Sequence, residues 1–308
     1  MNKIILLFFI WLTVSYSQSI KVLENRLLTN EINEQYFHPH FNDDDSKIIV
    51  TKSNYKGLYL LDIKTNNLET ITEEQGAGYK PVITGSGKTI LYRPFVTKSG
   101  KKYHSLKSID TDTKAIKIIE NGQRNLSVPN QLNTNKMFYL NNGEVREVAV
   151  PERAMAKTIK QNKAVYVKNN SLYLVENNET VELNPLGKGV YVWASLSPEG
   201  NKIIFTFGNK GTYVCDLNGN ILLNIKDAHY PKFSPDGKYI SYMIDKDNGY
   251  NYTSSDLFIY SIDEQKSYPV TNTEAKIEMF PEWSHSGNEI VYQTTEGEIY
   301  LMKLNIKN

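Results

Sequence analysis

The sequence predicts an all-β propeller, and three observations lead there. A strand–turn–strand unit recurs from one end of the chain to the other. Its spacing is that of a four-stranded blade, which repeats at about 40–45 residues. Apart from Glu152–Lys160, long enough for one or two helical turns, no amphipathic helix interrupts the pattern.

Composition agrees. The chain has 308 residues, 40% hydrophobic and 22% charged, values of a globular protein with a proper core. The 35 Lys and Arg nearly balance the 34 Asp and Glu, giving a net charge of +1. A nucleic-acid partner is therefore not expected. Cys215 is the single cysteine, which excludes an internal disulfide framework and a cysteine-rich zinc site. It lies in the alternating run Thr212-Tyr213-Val214-Cys215 and reads as a small core residue. The 21 tyrosines favour strands.

Residues 1–17 read as a signal peptide. Lys3 supplies the positive end, Ile4–Val14 the apolar run, and Ser15 and Ser17 the small residues before cleavage, placed after Ser17. The run is shorter than the roughly 20 residues of a membrane span; an uncleaved anchor is the competing reading. No cysteine follows it to carry a lipid, and no second long apolar run exists. The mature chain is expected to be exported without a membrane span, and to work in the periplasm or outside the cell. Residues 18–308 carry no linker-like break and are expected to form a single domain.

The clearest unit is YPKFSPDGKYISYMI from Tyr230: a strand, a Pro235-Asp236-Gly237 turn, and a strand at Ile240–Ile244. The same grammar runs through HPHFNDDDSKIIVTK (His38), KPVITGSGKTILYRP (Lys80), WASLSPEGNKIIFTF (Trp193) and FPEWSHSGNEIVYQT (Phe280), with a weaker copy from Val128. Third strands follow from Gly57, Ser105, Glu144, Ser171, Gly211, Asp256 and Glu298. Fourth strands follow from Leu68, Ala115, Thr180, Ile221 and Tyr268. Ile48, Ile90, Met137, Val165, Ile203, Ile240 and Ile290 hold equivalent places, separated by 42, 47, 28, 38, 37 and 50 residues. The short interval marks a degenerate blade around Pro151–Lys163. Seven second-strand/third-strand hairpins predict seven blades; six is the alternative, if Val128–Pro185 forms one. The final unit has three strands, and Ile20–Thr29 is a spare strand ahead of the first unit. Pairing the two closes the ring and hides both edges.

The P-x-[FW]-S-P-D-G-K-x-I pattern at Pro231–Ile240 is echoed at Pro281–Ile290 and Ser197–Ile203. It resembles the WD-like repeat of TolB-type β-propellers over nearly the whole mature chain. TolB proteins are periplasmic, carry a separate N-terminal α/β domain and bind a peptidoglycan-associated lipoprotein. Only about twenty residues separate the signal from the first blade here, so the resemblance covers the propeller part. A Tol–Pal partner is what it implies. The Ser-Pro-Asp-Gly turn is structural: Asp236 caps it and Gly237 supplies positive φ.

Propellers bind at one mouth of the central channel, with residues on and just before the inner strands. The candidate ligand-binding residues are Tyr36, His38, Tyr79, Lys80, Arg124, Tyr191, Trp193, His229, Tyr230 and Glu278. Rings that stack and polar tips that orient suit a peptide or a sugar; packing between blades is the competing role. His38, His40 and His229 come from different blades, and propeller polyuronate lyases of this broad superfamily hold a metal with such histidines. Yet the three are not at equivalent repeat positions and show no zinc-type spacing. Asp43-Asp44-Asp45 reads as a solvated turn. The Asp245–Asp256 segment has its glycine, Gly249, out of register for a calcium loop and reads as a long hairpin. No G-x-S-x-G elbow or phosphate-cradling loop is present, and Ser86–Thr89 is a blade turn.

No catalytic residue, cofactor or metal is thus expected. The leading expectation is a binding or scaffold propeller that recognises a protein or envelope polymer at the channel mouth. The alternative is a propeller enzyme acting on polysaccharide or peptide, of lyase or hydrolase type.

Overall fold

The computed structural model describes residues 20–29, 33–84, 88–133, 136–150, 163–176 and 179–306. The signal peptide, the Glu152–Lys160 stretch, and Ser86 and Gly87 of the Ser86–Thr89 turn lie outside them. Among the described residues no helix is long and apolar enough to cross a membrane. Among the described residues, the only helical segments are two three-residue 3-10 turns, Ser53–Tyr55 and Gly208–Lys210; the regular structure is otherwise strand.

After β1 (Ile20–Leu27), the first complete sheet holds β2 (Phe37–Phe41), β3 (Lys47–Lys52), β4 (Lys56–Asp62) and β5 (Leu68–Gln75). The second holds β6 (Val82–Thr84), β7 (Thr89–Tyr92), β8 (Phe95–Lys98), β9 (Lys101–Asp110) and β10 (Ile116–Gln123); β8 pairs with β9 off the main path. Two three-stranded sheets come next: β11 (Asn130–Asn133), β12 (Lys136–Asn141) and β13 (Glu144–Ala149), then β14 (Lys163–Lys168), β15 (Ser171–Glu176) and β16 (Glu179–Glu182). The fifth is β17 (Tyr191–Leu196), β18 (Lys202–Phe207), β19 (Thr212–Asp216) and β20 (Ile221–Ile225). The sixth is β21 (His229–Phe233), β22 (Tyr239–Asp247), β23 (Tyr252–Ser261) and β24 (Lys266–Pro269). The last is β25 (Glu278–Trp283), β26 (Glu289–Thr294) and β27 (Ile299–Ile306), completed by β1.

This is a β-propeller. The described residues form seven sheets, of which five are complete blades. The two three-stranded sheets occupy the stretch that the six-blade alternative takes as one unit. Together they make one blade, so the ring has six blades and the seven predicted from the hairpin count is corrected to six.

The second strands read as unbroken apolar runs because both of their faces are buried. In β3, Ile48 and Val50 pack against Val291 and Leu301 of the last blade, while Ile49 turns to Ile83 and Ile90 of the next. In β18, Ile203 and Phe205 face Leu172, and Ile204 faces Ile240 and Tyr242. The strand period of two thus gives each blade two hydrophobic faces. Each pair of stacked blades then encloses a core cluster of its own.

Closure follows the sequence reading. β1 pairs antiparallel with β27, from Ile20 opposite Ile306 to Leu27 opposite Tyr300. Ile20 is buried among Met302 and Leu304. The repeated turns do the structural work expected of them. Ser234 Oγ donates to Asp236 Oδ1 at 2.6 Å, Asp236 Oδ1 accepts from Lys238 N at 3.1 Å, and Gly237 sits at φ 71°. These turns also touch round the ring. A Cβ on Gly237 would lie 2.7 Å from Glu199 Oε1 of the preceding blade. Asp45 accepts from His285 N at 2.8 Å, His285 Nδ1 at 2.9 Å and Ser286 N at 2.9 Å. Asp45 thereby ties the first blade to the last. Asp43-Asp44-Asp45 is therefore partly an inter-blade clamp and not simply a solvated turn. The Asp245–Asp256 segment is a hairpin extension, as expected, with Asp247 opposite Tyr252.

Candidate functional site at the channel mouth

Inner strands carry one repeated irregularity. The ladder slips between Phe37 and His40, Val192 and Ser195, His229 and Lys232, and Met279 and Glu282. In each, two inner-strand residues oppose one residue of the second strand. That is a β-bulge, a device that bends a strand and re-aims a side chain. Its first residue is held in the left-handed region: His38 (φ 53°), Trp193 (φ 52°), Tyr230 (φ 50°) and Phe280 (φ 58°). Lys80 (φ 51°) holds the same place just ahead of β6. The second residue is Pro39, Pro81, Pro231 or Pro281, with Ala194 the exception. Proline suits a bulge because it has no N–H to leave unpaired. A bulky residue at positive φ costs about 1–3 kcal/mol, and such strain gathers at functional sites.

The bulge also sorts the candidate residues. Tyr36, Tyr191 and Glu278 each stand two places before a bulge and are turned into the blade packing. Tyr36 donates to Glu34 Oε2 at 2.7 Å and meets Tyr59 edge-on. Tyr191 packs on Phe205 and Phe207 and donates to Gly187 O at 3.0 Å. Glu278 accepts from Thr273 Oγ1 at 2.5 Å, and burial raises its pKa. The structure does not bring these three to the mouth.

The other candidates converge. His38 stacks on Tyr55 (centroids 4.6 Å apart) and lies 5.5 Å from Phe280. Phe280 meets Tyr230 at 4.9 Å, Tyr230 meets Trp193 at 5.8 Å, and Trp193 meets His229 at 6.1 Å. On the other side Tyr55 meets Tyr79 at 4.9 Å, and the Arg93 guanidinium lies 5.7 Å from the Tyr79 ring. An aromatic belt therefore crosses five blades. Burial, then the charge of His40, lowers the His38 pKa to about 4. A hydrogen bond from His229 Nδ1 to Asp245 Oδ1, 2.6 Å, raises that of His229.

Directly after three of the bulges stand His40, Lys232 and Glu282. Glu282 Oε1 accepts from Tyr230 Oη at 2.6 Å and pairs with Lys232 Nζ at 2.8 Å; His40 Nδ1 is 3.7 Å away. Burial alone would push the Glu282 carboxyl up, but Lys232, His40 and Tyr230 together hold it below its usual range. Burial lowers the pKa of His40 despite Glu282.

Beside the belt opens a cavity of about 570 Å³. Among the described residues it is lined by Lys80, Arg124, Lys168, Tyr166, Trp193, three asparagines and neighbouring small and apolar groups, with no carboxylate. Lys80, Arg124 and Lys168 form no ion pair among the described residues. Arg124 rests 5.5 Å from the Tyr103 ring and Lys80 5.9 Å from that of Tyr79. Among the described residues no group of three or more His, Cys, Asp or Glu could hold a metal ion. His40 and His229 are instead committed to different carboxylates.

Tyr55, Arg93, Tyr166, Lys168, Lys232 and Glu282 were not among the sequence candidates. For Lys232 and Glu282 a signal existed, since each directly follows the inner-strand proline of its repeat, Pro231 or Pro281. Tyr55, Arg93 and Tyr166 arrive from other strands and turns and carry no repeat signature.

No family model matches the chain, and no curated protein matches it. Among solved structures it is similar to an oligogalacturonate lyase in complex with manganese. The identity is 13% over 88% of this chain and 77% of that one, with a TM-score of 0.48. It is also similar to an oligogalacturonate lyase from Vibrio parahaemolyticus, at 11% identity over 87% of this chain and 78% of that one, again with a TM-score of 0.48.

Proposed function

We propose that the chain is an exported binding propeller that takes an acidic sugar chain of the cell envelope or its surroundings at the channel mouth. The observation that carries this reading is the cavity lined by Lys80, Arg124 and Lys168 without a carboxylate among the described residues. Three ammonium or guanidinium groups left unpaired at one opening attract anions. Trp193 and Tyr166 add flat apolar faces on which sugar rings stack. A neutral ligand would gain nothing from the cations.

The test is calorimetric titration of the mature chain, from Gln18, with a uronic acid tetrasaccharide and with its carboxyl-reduced, neutral counterpart. The acidic form binds and the neutral form does not. Arg124→Met and Lys168→Met each weaken binding roughly tenfold, which is about 1.4 kcal/mol, and added salt weakens it further. Equal binding of both sugars, or capture of an acidic peptide in preference to either, overturns the reading. The second outcome would favour a protein partner, the kind the TolB-like repeat implies.

The channel also gives an enzymatic reading some support. Tyr230, Glu282, Lys232 and His40 form one hydrogen-bonded and charged group of the types that move protons. Chain shortening of the same tetrasaccharide, abolished in Glu282→Gln, is the outcome that would establish it.

A further inference from the structure

Basic residues are spread unevenly along the chain. The stretch from Gln75 to Ile109 holds seven Lys and Arg and not one Asp or Glu, although the whole chain has a net charge of only +1. The fold sorts the seven. Lys88 pairs with Asp112, and Lys107 with Glu74. Lys80, Arg93, Lys98, Lys101 and Lys102 have no ion pair among the described residues. All five stand at the mouth end of the second blade.

Topology puts them there. β6 starts at the mouth, and its first residue, Val82, is opposite Leu91 of β7. β7 therefore ends at the mouth, and Arg93 and β8 continue the chain past the start of β6. β8 and β9 then form an arm, with Phe95 opposite His104, Val96 opposite Tyr103, Thr97 opposite Lys102 and Lys98 opposite Lys101. Ser99 and Gly100 both lie at positive φ, 48° and 71°, the pattern of a tight two-residue hairpin turn. At about 3.4 Å per residue the arm extends about 10 Å beyond its His104 rung. Lys98, Lys101 and Lys102 are exposed along it.

Side-chain contacts join the arm to the cavity. The guanidinium of Arg124, on the cavity wall, lies 5.5 Å from the ring of Tyr103 on the arm. Arg93, at the root of the arm, donates from Nη1 to the carbonyl of Leu126, another lining residue, at 2.6 Å. Arg93 Nε is buried without a hydrogen-bond partner among the described residues. Lys102 Nζ lies 4.3 Å from the Phe95 ring, which fixes its charge on the arm. His104 adds no charge at neutral pH, because burial first, and then Arg93, Lys102 and Arg124, lower its pKa to about 4. A row of cations thus leads from Arg124 in the cavity, past Arg93, to the tip of the arm. The cavity, about 570 Å³, encloses a ligand of drug size. A longer chain has to leave it, and the arm is the flank along which positive charge continues.

We infer that the Phe95–His104 arm is an extended binding surface for the cavity's ligand, and that this ligand is a polymer of acidic sugars, with one part seated in the cavity and the chain laid along the arm. This inference rests on the acidic-sugar reading of the cavity and adds chain length to it. Exposed cations set in a row gain most from a ligand that repeats its own charge.

The experiment titrates the mature chain with a uronic acid disaccharide and with the octasaccharide, at about 0.15 M salt, where exposed charges more than about 8 Å apart are largely screened. The triple variant Lys98→Gln, Lys101→Gln, Lys102→Gln weakens octasaccharide binding at least about fivefold and changes disaccharide binding less than about twofold. Retained disaccharide binding also shows that the variant is folded. A longer chain offers more placements in either protein, and comparing the two proteins cancels that factor. Lys64, Lys238 and Lys266 are exposed at the far end of the propeller, in the links between strands. Replacing all three by Gln removes the same net charge and leaves both affinities within about twofold. Unchanged octasaccharide binding in the arm variant, or an equal loss in the far-end variant, overturns the arm as a binding surface. A poly-glutamate of equal charge that displaces the octasaccharide at lower concentration overturns the sugar polymer as its occupant. Failure of wild-type protein to bind even the disaccharide overturns the underlying cavity reading instead.

Discussion

Asp45→Asn isolates the contact that ties the first blade to the last. Asp45 sits in the left-handed region at φ 57°, where asparagine is as well tolerated as aspartate, so the substitution leaves backbone strain unchanged. The carboxylate accepts three hydrogen bonds, from His285 N, His285 Nδ1 and Ser286 N, at 2.8–2.9 Å. Asparagine can keep the two on Oδ1, now without charge. At Oδ2 it presents an N–H₂ group to the Ser286 N–H, so that bond is lost. Hydrogen bonds to charged groups contribute about 1.5–3 kcal/mol each. Ser286 is exposed, so water replaces part of what it loses. The net cost is about 2 kcal/mol, which lowers the melting temperature by roughly 3 °C in a chain of this size.

The same clamp has a pH signature. Burial pushes the Asp45 carboxyl up, but the bonds from His285 and Ser286 outweigh it and leave the pKa below its usual value. A carboxylate with a depressed folded pKa stabilises the fold above its unfolded pKa of about 3.9, and that contribution is lost as pH falls through the folded value. Wild-type protein therefore loses stability on acidification that the Asn variant has already lost, and the two melting curves approach each other at low pH. Melting followed by circular dichroism between about pH 3 and 7 measures both effects. A variant that melts within about 1 °C of wild type at neutral pH, with an unchanged acid limb, would refute the clamp.

Two further outcomes follow from burial and charge. In proton NMR titrations His38 protonates near pH 4, whereas His229, bonded to Asp245, protonates above its ordinary value of 6.5. The His229–Asp245 pair accordingly stabilises the fold below about pH 6.5, and its contribution fades as pH rises through the raised value; a His229 that titrates below 6.5 removes the pair from solution. Cys215 is fully buried and its thiol is pushed up to about 12, first by desolvation and then by Asp216. A disulfide-exchange reagent at about pH 8 leaves it unmodified in the native protein and labels it completely in guanidinium; rapid labelling of folded protein would show that the β17–β20 sheet opens there.

The sequence by itself determined the blades and their closure. Apolar second strands, turn residues at fixed offsets and a spare N-terminal strand are local patterns, and each has one stable solution once edges must be hidden. It also pointed to the mouth as the place to look for a site, since inner strands begin there. Only the tertiary structure decided which residues face the opening. Strand alternation would put Tyr36 with His38, Tyr191 with Trp193 and Glu278 with Phe280 on one face. A left-handed bulge at the later residue of each pair breaks that alternation, so Tyr36, Tyr191 and Glu278 turn into the core while His38, Trp193 and Phe280 turn to the mouth. The partners that complete the site come from elsewhere in the ring. Tyr55 reaches His38 from a turn of the first blade, and Lys168 joins Lys80 and Arg124 around one cavity from the end of β14. Such contacts depend on the radius and curvature of the closed ring, which no single stretch of sequence contains.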